Sequence, residues 1–233
     1  MIGNIFSQGK SDREGRGVVP LSDNVKAVYP SDGGWLEKKL SKQEIEYVWK
    51  CVNRKREGWN FNLAGNIENS YRLNDKNNWF YDNTIKPLIA DYENQFPNNP
   101  IQDVTFSITG QHTYQLSSWW VNFQNQGDFN PLHKHRGVYS FVIWLKIPTD
   151  FKDQCQLPIS KKSNSQSISN FEFSFMDIMG AIKTYVYYMS PELEGTMLLF
   201  PSRLNHQVYP FYECDEQRIS VSGNVFVNTF KTL

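Results

Sequence analysis

The chain predicts an α+β, mainly β fold: a double-sheet jelly roll, or double-stranded β-helix, with supporting N-terminal helices. Three observations predict it. Aromatic side chains, which fill pleated, half-buried surfaces, make up 15% of the 233 residues. Helical spacing of apolar residues is confined to the first hundred positions, and beyond them short runs rich in Val, Ile, Phe and Tyr alternate with polar turns. Many short antiparallel strands with few open edges are what a jelly roll supplies.

The elements follow in order. Residues 1–35 are polar and Gly-rich and read as a lead-in, with a short strand at Val25 to Tyr29. A helix over 41–56 starts at Ser41, whose N-cap role is completed by Glu44 three positions on, and Ile45, Val48, Trp49 and Val52 give it one apolar face. Residues 57–81 are rich in Asn and Gly and read as loop. A second helix spans 84–96, capped by Thr84 and stopped by Asn98-Asn99-Pro100, with Ile85, Leu88, Ile89, Tyr92 and Phe96 facing the core. Strands are expected at 104–108, 114–123, 137–147, 171–176, 182–188, 195–200, 206–210 and 217–227. The run Gly137 to Ile147 is apolar on nearly both faces, which places it centrally. The polar stretch 149–170 reads as an insertion or a lid. The domain reading is thus a lead-in over 1–35 and one jelly-roll domain over 36–233, with helical support at 41–96 and a β core at 102–228.

Composition narrows the function classes. Basic and acidic side chains balance at 24 each, and clusters such as Lys50 to Arg56 are too short for a nucleic-acid arm, which argues against nucleic acid as a partner. Cys51, Cys155 and Cys214 lack CxxC pairing and read as free thiols. No signal-peptide core opens the sequence, and its strongest apolar stretch, Phe141 to Leu145, is too short to cross a bilayer. The expectation is a soluble protein of the cytoplasm, or of a host's cytoplasm if the chain is viral, with no membrane partner.

Chemistry concentrates on histidine. Of four histidines, two form His133-Lys134-His135, and residues two apart on a strand project to one face. His206 lies just after the apolar run Met197 to Phe200, at an expected strand start. The three are expected to converge on one metal ion; a surface histidine pair is the plain alternative. Asp128 is the nearest upstream carboxylate and a candidate fourth ligand. His112 has no place in the pattern. Arg218 falls in the strand-like run Arg218-Ile-Ser-Val-Ser, where a buried guanidinium requires an anion. Ser220 shares its face, so the pair suits a carboxylate; a structural salt bridge is the alternative.

The stretches WVNFQNQGDFNPLHKHRGVYSFVIWLKIP (120–148) and GTMLLFPSRLNHQVYPFYECDEQRISVSGNVFVN (195–228) resemble the 2-oxoglutarate- and iron(II)-dependent oxygenases. They most resemble those of bacteria and phages with an HxH…H…RxS pattern. The resemblance implies that His133, His135 and His206 hold iron(II), that Arg218 and Ser220 grip the distal carboxylate of 2-oxoglutarate, and that Asn122 hydrogen-bonds this cosubstrate. It implies a dioxygenase that hydroxylates an amino-acid, peptidyl or small-metabolite substrate with release of succinate and carbon dioxide, and it leaves a homodimer open. His135 stands where most relatives carry Asp or Glu, so the protein's share of the ligand charge is missing. Three histidines also suit zinc, or a cupin-like dioxygenase without cosubstrate. A non-enzymatic jelly-roll binding or structural protein is the remaining class. Trp144, Tyr139 and Tyr209 are candidates for the mouth of the site, with ordinary core packing the plainer reading of each.

Overall fold

A computed structural model describes residues 33–54, 57–96 and 112–229. The expected strands at 25–29 and 104–108 and the Asn98-Asn99-Pro100 stop lie outside them, as does the side chain of His112. Eleven strands are present among the described residues: β1 (Leu36–Lys39), β2 (Glu57–Gly58), β3 (Asn69–Arg72), β4 (His112–Gln124), β5 (Asn130–His133), β6 (Tyr139–Lys146), β7 (Phe171–Met176), β8 (Ile182–Tyr187), β9 (Thr196–Pro201), β10 (Asn205–Val208) and β11 (Arg218–Thr229). They form two antiparallel sheets, ordered β1-β9-β6-β11-β4-β3-β2 and β5-β10-β7-β8. The α+β, mainly β double-sheet architecture is the one expected.

The first helix, α1 (Lys42–Val52), begins at Ser41 with the reciprocal cap that the spacing predicts: Ser41 Oγ accepts from Glu44 N, and Glu44 Oε2 accepts from Ser41 N. The second, α2 (Lys86–Gln95), departs from expectation at its start. Helical backbone enters it through a π-turn, Tyr81–Ile85, and Thr84 is no cap. Asp75 takes that role, its carboxylate accepting from Phe80 N and Tyr81 N at 2.9 Å each. Buried Thr84 instead donates to Glu44 Oε1 at 2.8 Å, joining the two helical segments. The segment 57–81 is not all loop. Its β3 pairs with β4 from Asn69↔Phe123 to Arg72↔Trp120. Ladder pairing against a long strand overrides a composition poor in β-formers.

Two cores explain the patterning of β6. Tyr139, Phe141, Ile143 and Leu145 point away from the second sheet into a cluster with Val48, Val52, Phe80, Ile89 and Tyr92 of the helical segments. Val142 and Trp144 point the other way, into a cluster with Phe171, Phe173, Leu198 and Phe200 between the sheets. A strand covered on both faces reads as a continuous apolar run. Tyr139 therefore packs in the core behind the large sheet, the plainer of its two readings, and not at a cavity mouth.

The polar segment 149–170 holds a short helix, α3 (Phe151–Gln154), and is tied down. Gln154 brackets Tyr212, donating through Nε2 to its carbonyl at 2.8 Å and accepting from its N–H at 2.9 Å. Ser169 and Asn170 at its end are fully buried. No helix among the described residues is long and apolar enough to cross a membrane.

Candidate metal centre

His133 and His206 are directly opposed across the β5–β10 ladder. That pairing, and not strand alternation, builds the cluster. His135 lies beyond the end of β5, where its backbone N–H donates to Ser202 O at 2.8 Å. The chain then turns through Gly137, at φ +102°, into β6. Alternation within one strand therefore does not bring His133 and His135 together, since β5 ends at His133; their ring planes stand 88° to each other. The ring centroids are 5.0 Å apart for His133–His135, 4.3 Å for His133–His206 and 4.9 Å for His135–His206. One ligating atom from each lies within 4.8 Å of the others. The three form a cluster able to hold a metal ion.

The rings are set in the form a metal needs. His133 Nδ1 is 2.7 Å from Pro131 O and His206 Nδ1 is 2.9 Å from Leu204 O. Only a protonated nitrogen can face a carbonyl at that distance, so each Nε2 is left as the lone-pair donor. His206 Nε2 lies 3.1 Å from His135 Nε2. Burial holds all three imidazoles below the ordinary histidine range. It brings His135 down to about 4, helped by His133, and holds His206 well down, helped by both neighbours. They are therefore neutral near pH 7, the state in which imidazole ligates. His206 is packed among the rings of Phe171, Phe173 and Phe200.

The cluster opens into a cavity of about 130 Å³ between the sheets. The large sheet contributes Trp120, Asn122 and Gln124 of β4, Arg218, Ser220 and Ser222 of β11, and Trp144 of β6. Register explains the grouping: Arg218 faces Gln124, and Ser220 lies between Asn122 and Trp144. Asn122 Oδ1 accepts from Ser70 Oγ at 2.9 Å, which fixes the amide.

Arg218 is the unusual residue. It is 2% exposed, yet among the described residues its one hydrogen bond goes from Nη2 to Ser169 O at 2.7 Å. Nε and Nη1 are buried without a partner, and the guanidinium lies 4.9 Å from the centre of the Phe211 ring. Burial lowers its pKa to about 9, which leaves it charged at neutral pH. No Asp or Glu lines the cavity among the described residues. Among the described residues Arg218 makes no salt bridge.

No carboxylate joins the three histidines among the described residues. Asp128 does not reach them: its carboxylate accepts from Asn125 N at 2.9 Å and closes the turn before β5, and burial raises its pKa. Trp144 both packs in the core between the sheets and lines the cavity; Tyr209 does not line it, and its hydroxyl accepts from Gln207 Nε2. Sequence reasoning missed Trp120 and Gln124, although both follow from Asn122 by strand alternation. It also missed Asn62 to Ala64 and Ile67, which line the cavity from a segment without periodic signal.

Residues 118–224 match a sequence family described as "Putative 2OG-Fe(II) oxygenase". No curated protein matches the chain. Among solved structures, a 2OG-Fe(II) oxygenase family oxidoreductase from Burkholderia pseudomallei is similar in fold, with a TM-score of 0.50 at 12% identity over 83% of this chain and 84% of that one. A prolyl-4-hydroxylase from Pseudomonas putida gives a TM-score of 0.47 at 13% identity over 82% of this chain and 91% of that one. The matched segment carries all three histidines and Arg218, and it lies within a double-sheet fold like that of the Burkholderia structure; over this part the chain is similar to the 2-oxoglutarate- and iron(II)-dependent oxygenases.

Proposed function

We propose that this protein is an iron(II)- and 2-oxoglutarate-dependent dioxygenase that hydroxylates an amino-acid, peptidyl or small-metabolite substrate, with residues 36–233 as its one catalytic domain. The observation that carries the reading is Arg218: a buried guanidinium with two nitrogens unpartnered, lining the same cavity as the histidine cluster. A buried unpaired cation is costly, and a carboxylate that accepts from its free N–H groups removes that cost.

In this reading His133, His135 and His206 hold the iron through ring nitrogens. Arg218, with the Ser220 hydroxyl beside it, holds the distal carboxylate of 2-oxoglutarate, and Asn122 hydrogen-bonds the cosubstrate from the neighbouring strand. Iron(II) with 2-oxoglutarate and dioxygen supplies the oxidising power, with succinate and carbon dioxide as coproducts. The chain's own part is placement and exclusion of water. The carbonyls of Pro131 and Leu204 fix two of the rings by their Nδ1–H groups. Trp120, Trp144 and Phe200 give the cavity apolar walls, where charge interactions are little screened.

The all-histidine ligand set favours a second reading, a three-histidine dioxygenase of cupin type that needs no cosubstrate. Anaerobic titration of the protein with iron(II) and 2-oxoglutarate separates the two. The proposal expects a metal-to-ligand charge-transfer band, followed in air by succinate in step with oxygen uptake. Oxygen uptake without succinate, and without that band, establishes the second reading.

A further inference from the structure

We propose that metal ion and dicarboxylate occupy this cavity as a mutually dependent pair: the protein alone holds the ion weakly, a dianion anchored at Arg218 tightens it, and 2-oxoglutarate does so at least tenfold. This rests on the cosubstrate reading above and adds how the site is loaded.

The charge count of the cavity carries the inference. An imidazole that ligates a cation is neutral. No carboxylate joins the three histidines, and none lines the cavity among the described residues. Arg218 lines it with a fixed positive charge, and its Nε and Nη1 have no partner. Lys134 is the second cation on the lining, exposed to solvent. A divalent ion entering this space therefore meets like charge and no anion among the described residues, beside walls of Trp120, Trp144, Phe171 and Phe200 that screen charge poorly. A site with a carboxylate ligand would cancel part of the ion's charge by itself. Here that compensation has to arrive with the ligand. A dicarboxylate that reaches Arg218 at one end and the ion at the other neutralises both. Linkage then requires that the ion tighten the dicarboxylate by the same factor.

Calorimetric titration of the full chain with Mn(II), in a buffer of weakly coordinating anions, reads this without turnover. Three arms are compared: no addition, saturating 2-oxoglutarate, and saturating glutarate, which has both carboxylates but no 2-oxo group. The expected result is a Kd for Mn(II) at least tenfold lower with 2-oxoglutarate and lowered by a smaller factor with glutarate. The Kd for 2-oxoglutarate should fall by the same factor when Mn(II) is present. Arg218→Met should bind Mn(II) alone severalfold more tightly than the parent and lose the glutarate effect. His135→Asp should bind Mn(II) alone about tenfold more tightly and show a smaller 2-oxoglutarate factor.

The three arms on the unaltered protein suffice if a variant does not fold. Mn(II) affinity equal in all arms while 2-oxoglutarate still binds overturns the coupling and leaves the cosubstrate reading standing. Absence of 2-oxoglutarate binding with and without the ion overturns both.

Discussion

At the scale of single residues, the chemistry of this site is decided by which groups lack partners. Most buried polar side chains here are satisfied: Asn122 by Ser70, Ser140 by Ser202 and Asn224, Glu172 by Gln207. Arg218 is not, and it lines the cavity that the histidines share. Arg218→Ala should raise the KM for 2-oxoglutarate roughly a hundredfold, since charge-assisted hydrogen bonds contribute about 1.5–3 kcal/mol each. The metal content of the variant, measured by elemental analysis, should not fall. An unchanged 2-oxoglutarate KM removes Arg218 from the cosubstrate site. The burial of the arginine was legible from an Arg-x-Ser in an apolar strand. That its backbone partner is Ser169 was not, because 49 residues separate the two and only the packed chain joins them.

At the scale of elements, two joints hold the site's scaffold. The first is Glu44. Its carboxylate closes the α1 cap, accepts from Thr84 before α2, and pairs with Lys38 of β1 at 2.7 Å. Burial alone would raise its pKa, but the hydrogen bonds from Lys38, Ser41 and Thr84 more than offset this and bring it from an ordinary 4.5 to about 2. A group depressed in the folded state adds stability that is present above its unfolded pKa and is lost as pH falls toward the folded one. Glu44→Gln should therefore cost about 1–2 kcal/mol at pH 7. In urea unfolding, its difference from the parent should shrink between pH 4.5 and pH 2. A difference constant over that range would show that the charge of Glu44 is not what matters.

The second joint is Gly137. At φ +102° it occupies backbone space that side chains disfavour, and a Cβ there would stand 2.6 Å from Val225 O. Gly137→Ala should cost about 1–3 kcal/mol in thermal unfolding and reduce bound metal, because the turn that follows His135 has to move. The capping box at Ser41 was readable in advance because its pattern is local. The Asp75 cap was not, since its donors lie five and six residues on, outside the capping-box spacing, and β3 was not, since it depends on what the segment meets across the sheet.

At the scale of the whole molecule, the cavity exists only because two sheets face each other. The large sheet brings Arg218, Ser220 and Asn122, and the small one brings His133 and His206. A ligand that bridges them binds the folded chain alone, so iron(II) and 2-oxoglutarate together should raise its stability. At a hundredfold excess over Kd the gain is about 2.7 kcal/mol. For a chain of this size that is a rise in Tm of roughly 5–10 °C. Anaerobic scanning calorimetry measures it; no shift with both present would mean that the cavity does not take the pair.

The sequence by itself determined the double-sheet class, most strand positions after residue 112, the α1 cap, the three histidines and the guanidinium, because each is written in local spacing or in the scarcity of a residue type. Only the tertiary structure decided how those parts meet: His133 opposite His206 across a ladder, His135 held by Ser202 O, Asp128 kept in its own turn, and Tyr139 on the far face of the large sheet. Register between distant strands sets these contacts. It is fixed by the burial of whole faces, which no single stretch of sequence contains.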